Sequence, residues 1–287
     1  MLRKLGFAAL RLLCVMLLAS FAGAVLLRVA PGFSSDEQEL TPGLSAQSVQ
    51  AIRDTRMADS NIPRFYARYL RSLLHGDLGV SQSLNQPVST LLRERVPVTA
   101  RNLGFALLAG WVLALGLALA SQLARTRWFA FVADGLSSSF ISTPAAVLAL
   151  IFVILRWPAM LAAALLIFPK VYSYARNLLD ESSRMPHVFA AQSRGAGRLR
   201  TLICHVAPIA LPQLVALLGV SISLGLGVLL PIEVICDIAG VGQLAWQAAQ
   251  SRDLALLVNL TLIVSFVTVC ATMLSDAFRS EPAGSTA

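Results

Sequence analysis

Charge is the scarcest property of this chain. Asp, Glu, Lys and Arg make up 13% of its 287 residues, where an ordinary soluble domain carries roughly 25%. A soluble fold of this length could not cover itself with so few, which excludes a soluble globular enzyme and a disordered chain. Lysine is almost missing, with only Lys4 and Lys170. Histidine is limited to His75, His187 and His205. The four cysteines, Cys14, Cys204, Cys236 and Cys270, form no CxxC pair. A disulfide scaffold is therefore excluded and metal-ligand spacing is absent, so the cysteines read as small apolar gap-fillers. No basic block is interleaved with aromatics, so the net charge of +8 does not point to nucleic acid. Neither lysine stands in a GxxxxGK[ST] phosphate loop, and GxSxG, HExxH and paired carboxylates within an apolar run are missing too. The expectation is a chain that is not an enzyme, with no catalytic residue, cofactor or metal.

Apolar residues dominate in their place, at 56% of the chain with a mean hydropathy of +0.71. A helix crossing the hydrocarbon needs about 20 of them in a row, and a central Arg, Lys or Asp costs about 2.5–3.5 kcal/mol. Charge-free runs should therefore mark the spans. Such runs lie between Arg11 and Arg28, Arg101 and Arg125, Asp134 and Arg156, His205 and Glu233, and Asp253 and Asp276. A further run, Trp157 to Leu179, is interrupted by Lys170. The fold class expected is all-α, a polytopic membrane protein with six transmembrane helices. Arg3 and Lys4 at the start, Arg125 and Arg127, and Arg176, Arg184, Arg194, Arg198 and Arg200 fall on one side. The opposite short loops hold Arg156 and Arg252 beside Glu233, Asp237 and Asp253. The excess of Arg and Lys in the short loops places both termini in the cytoplasm. Ala22-Gly23-Ala24 resembles a secretory cleavage site, but the apolar run continues through Leu27 and suits a full span better.

Three parts follow from this layout: 1–30, an N-terminal segment with the first span; 31–97, an external loop; and 98–287, a core of five spans with a cytoplasmic loop at about 180–207. In the outer loop, Pro31–Ser60 is polar and irregular. Ile62, Phe65, Tyr66, Tyr69, Leu70 and Leu73 then recur at helical spacing, as in an amphipathic helix on the outer membrane surface. Residues His75 to Gly79 read as a turn, and Pro87 suits the first turn of a second short helix leading to Pro97 and the second span.

Small residues mark helix contacts. Ala106, Gly110, Ala114 and Ala118 recur every four residues in the second span, as do Gly219, Ser223 and Gly227 in the fifth, with Ser221 and Gly225 alongside. Such faces let another helix approach closely. Pro144, Pro169, Pro208, Pro212 and Pro231 can each bend a span. Lys170 is a functional candidate by its depth, though snorkelling or a later start of the span is the plainer reading. In the inner loop, Phe189-Ala190-Ala191-Gln192-Ser193-Arg194 reads as a short helix with Gly195 as its stop. A soluble partner could dock there; a solvated connector is the alternative.

Phe189–Pro208 resembles the coupling loop of ATP-binding-cassette permease subunits, in which Glu-Ala-Ala is followed after three residues by Gly. Ala190, Ala191 and Gly195 fall in register, Arg194 precedes the Gly, and His205-Val206-Ala207-Pro208 takes the closing element. Phe189 stands where the motif has Glu, and the stretch before Gly195 is a few residues short. Arg28 to Gly32, Tyr69-Leu70 through Gly79, Gln86-Pro87-Val88, Leu91-Leu92, Val96 to Thr99 and Gly240-Val241-Gly242-Gln243-Leu244 resemble the first permease type of the dipeptide/oligopeptide/nickel branch. The resemblance implies a type I importer permease of the cell inner membrane that moves peptides or similar solutes by alternating access. It implies four kinds of company: a second permease subunit, two cytoplasmic ATP-binding subunits, an extracytoplasmic solute-binding protein and the lipid bilayer. A secondary transporter or channel, and a permease-like subunit without transport, are the alternatives. The near absence of Asp and Glu from the spans argues against ion coupling.

Overall fold

The computed structural model describes residues 75–123 and 127–279, with 14–15, 17–19, 21–23, 25, 69 and 71–73. The irregular segment Pro31–Ser60 and most of the amphipathic pattern from Ile62 lie outside the described residues, and so do parts of the first span. Those residues of the first span that are described are helical, as are 69 and 71–73.

Among the described residues the order is a short antiparallel hairpin, β1 (Val80–Ser81) and β2 (Gln86–Pro87), then helices α1 (Val88–Leu123), α2 (Arg127–Ile141), α3 (Ala145–Ile154) and α4 (Ala159–Ser183). Next come α5 (Pro186–Ser193), α6 (Arg198–Thr201), a π-helical turn (Leu202–Val206), α7 (Ala207–Ile235), α8 (Val241–Gln250) and α9 (Leu254–Arg279). The chain divides into two compact units. One joins the segment ending at Val96 to Leu244–Phe266; the other joins Pro97–Gln243 to the segment from Val267.

Among the described residues, three helices are long and apolar enough to cross a membrane: Val88–Leu123, Arg198–Ile235 and Leu254–Phe278. A bent pair, Trp128–Ile141 with Ala145–Ile154, makes a fourth if counted as one span. The run between Asp134 and Arg156 is therefore not the single straight helix its lack of charge suggests. It breaks by 95°. Pro144 at the break is extended and has no N–H to give. Just before it, the hydroxyls of Ser139, Ser142 and Thr143 each donate to the carbonyl four residues back, at 2.9, 3.2 and 2.9 Å, a bond that tends to bend helices. Conversely, α4 runs unbroken through Pro169 and Lys170. Lys170 is exposed, while Phe168 and Tyr172 on either side are buried. The expected boundary at Pro97 is missing as well, since α1 passes through it. Val88, Leu91 and Leu92 are buried upstream and Ala106 and Ala114 downstream. Both flanks are thereby anchored, and one lost donor is tolerated.

In the unit containing Pro97–Gln243, α4 lies at the centre and packs against α2, α3 and α7. Small residues set its spacing. On α1, Ala106, Ala114 and Ala118 are buried, and a Cβ on Gly110 would stand 3.0 Å from the carbonyl oxygen of Ala164 in α4. On α7, a Cβ on Gly219 would collide with the carbonyl of Ala271 in α9, and Ser223 Oγ donates to the carbonyl of Thr268 at 3.4 Å. Gly227, from the same sequence pattern, is exposed with open space around it. Lipid is as apolar as these side chains, so close van der Waals approach rather than water exclusion holds such helices together. Polar ties add to it. Arg176 pairs with Asp134, which also accepts from Tyr172 Oη at 3.1 Å, and Gln122 donates to Asp180.

In the other unit, Asp253 is the N-cap of α9. Its Oδ1 accepts from Leu256 N–H at 3.0 Å. Its Oδ2 accepts from Ser81 Oγ at 2.6 Å and from the N–H and Oγ of Ser83 at 3.1 and 3.0 Å. Asn259, one turn into α9, accepts from Tyr69 Oη at 2.8 Å and donates to Leu78 O at 2.9 Å. The hairpin is thus clasped to the first turns of α9.

Candidate functional site: the inner loop and a buried carboxylate

The inner loop starts at the end of α4. Met185 is extended, and Pro186 takes the first position of α5, where its missing N–H costs nothing. After the eight residues of the helix and its cap Arg194, the chain is turned by Gly195, whose φ of +85° suits a residue without Cβ. Two bonds close the stop: Gly195 N–H to Gln192 O at 2.9 Å, and Ala196 N–H to Ala191 O at 3.2 Å. This paired pattern satisfies carbonyls that a helix end otherwise leaves free.

One face of α5 is inward and one outward. Val188 and Ala191 are buried, and Ala190 is half-buried. Phe189 is 70% exposed. Arg184, Arg194, Arg198 and Arg200 are exposed around it in sequence, whereas Arg176 is engaged with Asp134. The loop is an electropositive surface with one projecting aromatic ring. His205 is half-buried, with no partner for Nδ1, and Pro208 is exposed. His205 to Pro208 form the junction through which the helix from Arg198 enters α7. Ala207 N–H reaches back five residues to Leu202 O. Widening the turn there accommodates Pro208, which has no N–H to offer and whose ring would press on a carbonyl four residues back.

Glu233 is a feature that charge counting misplaced. It was expected to be a loop charge ending the fifth span; it is 0% exposed, inside the last turn of α7. Its Oε1 accepts from Thr99 Oγ1 of α1 at 2.7 Å, and its Oε2 accepts from Gly242 N–H at 2.7 Å. Thr99 Oγ1 in turn accepts from Val241 N–H at 2.8 Å. A Cβ on Gly240 would collide with the carboxylate, and one on Gly242 with the carbonyl of Leu230. The two glycines flanking Val241 are what permit this close approach, and they are the sequence signal that could have found the joint. The carboxylate also sits at the N-terminus of α8, where negative charge is favoured.

Among the described residues no group of three or more His, Cys, Asp or Glu could hold a metal. Long apolar helices packed through small residues, with a basic loop bearing a short, firmly stopped helix, are the build of a membrane-embedded helical protein. Residues 107–280 match the family model described as "Binding-protein-dependent transport system inner membrane component". This match takes in more than half of the chain, and the protein belongs to that family. It is similar to a Brucella suis protein provisionally named a peptide transport system permease protein, 27% identical over 91% of each chain. It is also similar to the oligopeptide transport system permease protein OppB of Escherichia coli K12, 26% identical over 83% of this chain and 84% of that one.

Proposed function

We propose that this chain is one of two permease subunits of an ATP-driven peptide importer in the cell inner membrane. Six spans with both termini in the cytoplasm line one half of the pathway. A solute-binding protein delivers peptides from outside. Two cytoplasmic ATPase subunits grip the inner loops, with α5 of this chain seated on one of them. Closure of the ATPase pair on ATP shifts a bistable bundle between inward-open and outward-open states. One observation carries the reading: α5, stopped at Gly195 and projecting Phe189 between exposed arginines, in a chain of the binding-protein-dependent family. The peptide class rests on the names of the two relatives. An ion-driven carrier finds little support, because both oxygens of buried Glu233 are already engaged. The test is purification in mild detergent followed by reconstitution. An ATPase subunit with a phosphate loop should co-purify, and peptide uptake should require ATP. Uptake by this chain alone under an ion gradient would refute the reading.

A further inference from the structure

A carboxylate inside an apolar helix is expensive. It persists only where hydrogen bonds to its oxygens replace the water it has lost. Holding a loop to a helix end does not need such a group, since apolar packing does it more cheaply. Glu233 nevertheless joins three elements at one point: α7 carries it, α1 supplies Thr99, and the first turn of α8 supplies Gly242 and, through Thr99, Val241. The backbone is shaped to it at Gly240, where a Cβ would collide with the carboxylate, while Gly242 lies against the backbone of Leu230 one turn earlier in α7. Hydrogen bonds to a charged acceptor are short, directional and stronger than neutral ones. With water excluded, nothing can replace them while the joint is open. Sliding of α1 past α7 at this level would take one of the carboxylate's two partners and leave Thr99 Oγ1–H and Val241 N–H unpaired at once.

We infer that Glu233 is a positioning residue of the transport cycle. Its carboxylate makes α1, α7 and the start of α8 one moving body, so a shift started at the inner end of α7 is delivered undiminished to α1 and to the entry of α8. This rests on the ATP-driven reading above. Glu233→Leu removes the acceptor and leaves Thr99 Oγ1–H and Gly242 N–H unpaired. Glu233→Gln keeps one acceptor oxygen for Gly242 and can donate to Thr99, so it should restore much of the joint. Thr99→Val removes the α1 side alone.

The test uses the assembled complex in lipid discs. The four native cysteines are replaced by alanine, and spin labels are attached at Arg101→Cys on α1 and Ala239→Cys before α8. Both positions are exposed. With Glu233 in place, the label-to-label distance should be single, narrow and equal in the nucleotide-free and ATP-trapped states. In Glu233→Leu and Thr99→Val it should broaden and differ between the two states. ATP-stimulated turnover of substrate should fall by at least about tenfold, the scale set by losing one or two charged hydrogen bonds. Basal ATP hydrolysis and co-purification should stay as they are, and Glu233→Gln should recover most of the loss. A distance that changes between nucleotide states with Glu233 present would overturn the inference, as would a narrow, unchanged distance with coupled turnover in Glu233→Leu. Failure of any ATPase to assemble with the unmodified chain would instead remove the importer reading, and this inference with it.

Discussion

Gly195 offers the sharpest quantitative check on the inner loop. Its φ of +85° lies where a residue with a Cβ pays about 1–2 kcal/mol. A Cβ there would meet nothing within 4 Å, so the surroundings add no steric penalty and the backbone cost is the whole cost. That cost falls on a helix of eight residues, too short to be stable without tertiary support. Gly195→Ala should therefore shift the local balance between the stopped and the opened loop by roughly 5–30-fold. Amide hydrogen exchange at Gly195 and Ala196, whose N–H groups close the stop, reads this opening directly in the reconstituted complex. Exchange should quicken by that factor, and substrate-stimulated ATP hydrolysis should fall. Asn tolerates positive φ better than Ala, so Gly195→Asn should lie close to the unsubstituted chain. Gly197 offers a control two residues away: its φ is −61° and it caps α6, so Gly197→Ser should be neutral or mildly stabilising. Equal exchange in Gly195→Ala and the unsubstituted chain, or equal effects of Ala and Asn, would refute the argument from backbone conformation.

Gly219 and Gly227 belong to one sequence pattern but differ in surroundings. Gly219→Val drives a side chain into the backbone of α9 and should cost at least about 1–3 kcal/mol; Gly227→Val has open space and should cost little. Thermal unfolding in detergent compares the two, and equal melting temperatures would contradict the packing. Asp253→Asn keeps one oxygen for the N-cap bond from Leu256 N–H but loses the oxygen that accepts from Ser81 Oγ and from the N–H and Oγ of Ser83, at about 1–3 kcal/mol. Limited proteolysis should then cut the loop between Ser81 and Gln86 faster, and an unchanged cleavage rate would show that the clasp carries no weight.

Much of this arrangement can be read from the sequence because membrane spans obey a local rule. Apolar runs marked α7 and α9, the interval of four marked the packing faces of α1 and part of α7, and Gly195 announced its own stop. Charge spacing measures hydrophobicity, however, and not continuity. The 95° break at Pro144 lies in a charge-free run, where hydroxyl bonds to the backbone decide the path. Pro97 and Lys170 looked like interruptions and are not, because burial on both sides holds the helix together. Gly227 shares a spacing with Gly219 but points at open space, which periodicity alone cannot distinguish. Glu233 was the largest misreading. An acid at the end of an apolar run looks like a boundary, and the partner that explains it, Thr99, is 134 residues away. Only the glycines at 240 and 242, which leave room for a carboxylate and for the backbone of α7 respectively, hinted at it locally.

The central claim is that α5 faces the cytosol and is gripped there by an ATPase subunit. Phe189→Cys, at an exposed position, tests both parts with a membrane-impermeant maleimide. The thiol should resist modification in intact cells, react in inverted membrane vesicles stripped of the ATPase, and be shielded again when the ATPase is restored. Modification from outside intact cells, or reactivity that ignores the ATPase, would contradict it.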